Sequence, residues 1–154
     1  MKGFKKVLFS FLAVLVLVGL TGCGNENVSG TLEEIMEKVY VDIPESERPM
    51  MLTNIELNEE NVEMYLGTTE IEFEEGLASE SAVGSIAHSV VLLRVKENAD
   101  IEKIKETIEK SVNPRKWICV EAEEVEVESK GNLIILIMSS EANAKKLENS
   151  FNNL

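Results

Sequence analysis

Residues 133–138 read Leu-Ile-Ile-Leu-Ile-Met, with no polar side chain among them. Successive side chains of a strand point to opposite faces of a sheet. An unbroken apolar run of this length therefore reads as a central strand, not a half-solvated one. Val90-Val91-Leu92-Leu93, inside a strand predicted over Ser89–Val95, makes the same demand for burial on both faces. A chain carrying two such runs has to build a sheet, and its remaining segments have to supply the cover.

The rest of the pattern alternates between the two periods. Residues 117–128 form a further strand, joined to 133–138 by the hairpin turn Ser129-Lys130-Gly131-Asn132. Its register is inconsistent: Ile118, Val120 and Ala122 are even-numbered, Val125 and Val127 odd. A bulge or break near Glu123–Glu124 reconciles them. Ile71 and Phe73 alternate with Glu70, Glu72 and Glu74, which predicts a half-buried strand that Gly76 ends. Ser79–Gly84 fits either helix or loop, and Met51–Leu57 reads as loop entering a helix.

Four helices are expected. Thr31 caps one through Tyr40 that buries Leu32, Ile35, Met36 and Val39. Asn58 caps a second through Leu66, closed by Gly67. Asp100 caps a third with Ile101, Ile104, Ile108 and Val112 on one side, stopped by Asn113-Pro114. Ser139 or Ser140 caps the last, with Ala144, Leu147, Phe151 and Leu154 inward. The expected fold is α+β: an antiparallel or mixed sheet of about four strands, with helices packed mainly on one face.

The amino terminus follows different rules. Lys2, Lys5 and Lys6 precede Val7–Leu20, whose one polar side chain is Ser10. As a helix this run covers roughly 21 Å, against about 30 Å for a bilayer core. The layout is that of a secretory signal. Leu20-Thr21-Gly22-Cys23 looks like a bacterial lipobox, in which the cysteine thiol takes a diacylglyceryl group and cleavage makes that cysteine the first residue. The expected organisation is a signal peptide over residues 1–22, a lipidated tether over 23–30 and one domain over 31–154. Cys23 then carries palmitate-type acyl chains, and the protein sits on the extracellular face of the cell membrane. Two chains suffice for stable anchoring.

Without the leader, 12 basic side chains face 28 acidic ones. Such a balance repels phosphate backbones and makes nucleic acid a poor partner. It suits a basic protein partner or a cation. Only Tyr40, Tyr65, Phe73, Trp117 and Phe151 remain as aromatics, a thin supply for stacking on sugars.

Candidate chemistry is sparse. His88 is the one histidine; no G-x-S-x-G or S-x-x-K pattern accompanies it, and it reads as a surface or edge residue. Cys119, inside the apolar run 117–120, reads as a small buried residue rather than a reactive thiol. The glutamates at 70–75 and 121–128 would form one acidic face if their strands paired, but no calcium-loop spacing occurs. One histidine and one free cysteine are too few ligands for zinc. No catalytic, cofactor or metal residue is expected. Arg115, Lys116 and Trp117 are the one candidate interaction patch, with Trp117 alternatively a core plug.

The runs NPRKWICVEAEEV, KGNLIILIMS and GSIAHSVVLLRVKENADIEKIKETI resemble a domain-of-unknown-function family of bacterial lipoproteins from Gram-positive, clostridia-like organisms. The resemblance extends over most of residues 31–154. It implies a lipid-anchored extracytoplasmic protein and an α+β domain, and it implies no reaction or ligand. Together these readings favour a binding or interaction module. An extracytoplasmic enzyme using His88 or Cys119, and a structural envelope protein, are the alternatives.

Overall fold

A computed structural model describes residues 27–154; the leader and Cys23 lie outside the described residues. Five strands form one fully antiparallel sheet: β1 (Leu52–Glu56), β2 (Glu75–Ser81), β3 (Ser89–Arg94), β4 (Glu124–Lys130) and β5 (Leu133–Ser139). Their spatial order is β1-β2-β3-β5-β4. The helices are α1 (Leu32–Val39), α2 (Val62–Leu66), α3 (Ile101–Ser111) and α4 (Glu141–Asn152). β5 therefore sits between β3 and β4, which explains why both apolar runs are central.

The α+β class is as expected. The sheet has five strands where about four were expected, and helices cover both of its faces rather than mainly one. On one face, α1 and α4 bury Ile35, Met36, Val39, Leu147 and Phe151 against Leu77, Val90, Leu92, Leu133, Ile135 and Ile137. On the other, α2 and α3 bury Val62, Tyr65, Leu66 and Ile108 against Ala78, Val91, Leu93, Ile134, Leu136 and Met138. The alternating side chains of β3 and β5 feed these two cores in turn, so neither strand has a polar side to spare.

Most helix signals hold. Thr31 caps α1 with a reciprocal capping box to Glu34, Asp100 caps α3 and Ser140 caps α4. Asn58 does not cap α2 directly. Its side chain accepts from Glu60 and Asn61 N–H in a turn one step earlier, and Asn61 holds the cap position. Gly67 ends α2 at φ +73°, and a Cβ there would lie 1.9 Å from the Ser111 carbonyl oxygen at the end of α3. Only a glycine lets these two helix ends meet. The β4–β5 turn has Gly131 at φ +59° in its first central position, as a type II′ hairpin asks.

Three strand expectations are corrected. Ile71–Phe73 is not a strand: Ile71 is buried by α2 and α3, but the segment has no ladder partner and joins the sheet only at Glu74 N–H, which donates to the Arg94 carbonyl. The strand lies further on, at β2, and Met51–Leu57 supplies its partner β1 instead of a loop. Residues 117–123 are irregular, so the register conflict is resolved by a break: β4 starts at Glu124. The two glutamate runs do not pair. β4 is one edge of the sheet, and residues 70–74 precede β2 near the other. Charged side chains along β4 suit an edge, because they discourage another strand from adding there.

Candidate functional site

β3 runs from Ser89 to Arg94, and His88 extends it by one residue. With the side-chain period of two, His88 falls on the α1/α4 face with Val90 and Leu92. Ser139, at the end of β5, shares that face with Ile137. Tyr40, the residue that closes α1, reaches over the same corner. Its hydroxyl lies 2.6 Å from His88 Nε2, and Ser139 Oγ lies 2.8 Å from Nδ1. His88 is therefore not a surface or edge residue; it is 1 % exposed.

The phenol is a stronger acid than a serine hydroxyl, so Tyr40 donates to Nε2 and Nδ1–H donates to Ser139. Burial pushes the imidazole down to about 4, which keeps it neutral near pH 7. Burial also raises the Tyr40 phenol well above its ordinary value, against the opposing pull of a Ser79 hydrogen bond and the Arg48 charge. Both ring nitrogens are committed, and neither meets solvent.

A cleft of about 420 Å³ opens over this corner. Met36, Tyr40, Leu52 and Ser79 form its floor, and Glu37, Glu45, Arg48 and Asn54 its polar wall. Arg48 is already engaged: Nε donates to the Ile43 carbonyl, Nη2 to the Tyr40 carbonyl and Nη1 to Glu37. Its guanidinium also stands 5.1 Å from the Tyr40 ring centre. It braces the loop after α1 with three of its five N–H donors, and the wall, with Glu37 and Glu45 against one guanidinium, carries one carboxylate in excess. A wider cavity of about 760 Å³ lies across the sheet, between α2 and the 69–73 segment. Its charged lining, Glu59 and the Glu72–Lys96 pair, is exposed, and no buried polar group is among the residues that line it.

The Arg115–Trp117 patch divides. Lys116 and Trp117 turn inward onto the α2/α3 face. Lys116 Nζ donates to Glu80 Oε2 at 2.8 Å, and Trp117 Nε1 donates to Glu80 Oε1 at 3.1 Å. Nζ also sits 4.5 Å from the Tyr65 ring centre and 5.2 Å from that of Trp117, a favourable cation–π setting. The two charged side chains are 11 % and 17 % exposed. Desolvation lowers the Lys116 ammonium from its ordinary value, and Glu80 works in the opposite direction. Arg115 points outward to Glu121. The patch is thus an internal clasp that holds the 112–123 segment on the sheet.

Cys119 is exposed rather than buried, at φ +62°. The left-handed backbone there ends any strand-like course and swings Ile118 and Cys119 into solvent; Ile118 is 73 % exposed. No group of three or more His, Cys, Asp or Glu side chains among the described residues is arranged to hold a metal ion. No helix among them is long and apolar enough to cross a membrane.

Sequence reasoning missed Tyr40, Arg48, Ser79, Glu80 and Ser139. One signal was available: His88 and Ser139 each stand two residues beyond a core position on a central strand, so both inherit a buried face. Comparisons with protein families, with curated proteins and with solved structures found no match.

Proposed function

We propose that this chain is a lipid-anchored extracytoplasmic binding module of the bacterial lipoprotein kind, held by acyl chains on Cys23. Its cleft beside Tyr40 takes a small polar group carrying positive charge, such as an ammonium or a guanidinium on a ligand or on a basic protein partner. The observation that carries the reading is the wall of the cleft. Glu37 and Glu45 flank a single guanidinium, which is already hydrogen-bonded to the Tyr40 and Ile43 carbonyls and to Glu37 itself. A cation entering there finds two carboxylates against one fixed positive charge, and an anion meets that excess of negative charge.

The binding reading is favoured over hydrolysis because a general base has to reach the proton it removes. His88 is enclosed and bonded at both nitrogens. Thiol chemistry at Cys119 would lack an activating histidine, since the one histidine of the chain is spoken for at the other face.

The test is an NMR titration of the isotope-labelled protein with methylammonium, arginine amide and, as the opposite charge, acetate. The two cations are expected to shift amide signals of residues 37, 45, 48, 54 and 79, and Glu37→Gln/Glu45→Gln to weaken that response. Shifts produced by acetate instead, or by neither charge, would overturn it.

A further inference from the structure

We infer that an anchor at Cys23 keeps the Arg94–Gly131 end of the sheet next to the bilayer and rules out the inverted pose, in which the His88 end and the Tyr40 cleft would lie on the lipid. This rests on the lipidation reading above.

Half of the expected tether over residues 23–30, from Asn27 to Gly30, is bound to the domain. Asn27 Nδ2 donates to Glu97, and Asn27 Oδ1 accepts from the Asn132 N–H. Arg94 Nη1 donates to the Val28 carbonyl at 2.9 Å, and Nη2 to the Gly30 carbonyl at 2.8 Å. Val28 packs against the α1/α4 core. Arg94 is itself held by Glu75. The chain is thereby fastened to the sheet from Asn27 onward, at the end where β3 finishes and β5 begins.

Cys23 and Asn27 are four residues apart, which spans at most about 14 Å. Placing the His88 end on the bilayer would lift Asn27 by the length of β3, roughly 20 Å for six residues. The chain available is too short for that inverted pose. Had residues 23–30 all been free, they would have been long enough.

The consequence concerns four of the five large apolar side chains that are exposed among the described residues, Met64 on α2 being the fifth. Val41, Met50, Met51 and Ile118 are each at least 66 % exposed. All four lie at the His88 end: Met50 and Met51 bond the end of β2 through their carbonyls, and Ile118 N–H donates to Gly84. In the inferred orientation they point away from the lipid, so they do not serve as membrane-inserting residues. The bilayer side carries Glu72, Lys96, Glu97 and Asp100 instead.

Energy transfer from tryptophan tests this. The 23–154 chain holds both cores within its described residues. With Cys119→Ser, Cys23 is coupled to a maleimide phospholipid in vesicles that carry a dansyl headgroup acceptor. Trp117, at the far end, is the one native donor. Adding Asn98→Trp, on the exposed turn beside Glu97, is expected to raise transfer several-fold over Trp117 alone, and adding Ser85→Trp to raise it little. Equal gains, or a larger gain from Ser85→Trp, would overturn the orientation. Chemical coupling makes this result independent of natural acylation, which the intact mass of the protein from cells reports separately.

Discussion

Tyr40 and His88 come from opposite kinds of element, the end of a helix and the entry to a strand, and meet through a 2.6 Å hydrogen bond in the interior. The bond joins α1 to the centre of the sheet at the corner where the cleft lies. Replacing the phenol with Tyr40→Phe leaves His88 Nε2 buried without a donor. A buried polar group stranded in this way costs about 1–3 kcal/mol. Urea unfolding should show a loss of that size; a loss near zero would mean that water replaces the hydroxyl.

The same imidazole makes stability depend on pH. In the unfolded chain it titrates near 6.5; in the folded protein burial holds it down to about 4. Between those values the unfolded state binds the extra proton, so this group's contribution is complete above about pH 6.5 and is lost as the pH falls toward 4. The full difference is on the order of 3 kcal/mol. Carboxylates titrate nearby, so the informative quantity is the stability of the native protein minus that of His88→Gln, measured across pH 4–7.5. It should shrink as the pH falls, and a constant difference would contradict the assignment.

Lys116 and Glu80 should behave as a coupled pair. Either Lys116→Met or Glu80→Gln alone leaves a largely enclosed charge without its partner, with a cost of a few kcal/mol at the upper end. The double variant should lose less than the two single losses added together. Because Trp117 Nε1 also donates to Glu80, its fluorescence should shift in Glu80→Gln. Additive losses with an unchanged emission spectrum would remove the clasp from the account.

Gly67→Ala tests the meeting of α2 and α3. The new methyl would stand 1.9 Å from the Ser111 carbonyl, in a backbone conformation that disfavours any side chain. Both helix ends would have to move, so thermal unfolding should come markedly earlier. Gly131→Ala, in a solvent-facing turn, should cost less despite its similar φ.

Three of the four helices were readable because each announces its start locally, whereas α2 begins later than Asn58 suggests. Thr31, Asp100 and Ser140 accept backbone N–H bonds at the starts their spacing suggests. β5 was readable because both its faces are apolar. β2 was not, because Ser79, Glu80 and Ser81 look like loop residues. They lie in a sheet because each finds a partner: Ser79 hydrogen-bonds Tyr40, Ser81 donates to the Met50 carbonyl, and Glu80 receives Lys116 and Trp117. Ile71 and Phe73 misled for the opposite reason. Their alternation reflects one-sided burial by neighbouring helices, with no strand beside them. Two-sided cover follows from Val90–Leu93 and Leu133–Met138 once they are read as neighbours, which strand-by-strand reading does not supply. The candidate site was almost illegible. Its parts come from residues 36 to 139, and what unites them is the register of β2, β3 and β5.

The proposed placement outside the membrane depends on Cys23, so the mass of the amino-terminal peptide of the protein recovered from its own cells bears on it most directly. The account predicts that this peptide begins at residue 23 and carries a diacylglyceryl group on sulfur. A free thiol at that position, or residues 1–22 still attached, would contradict it.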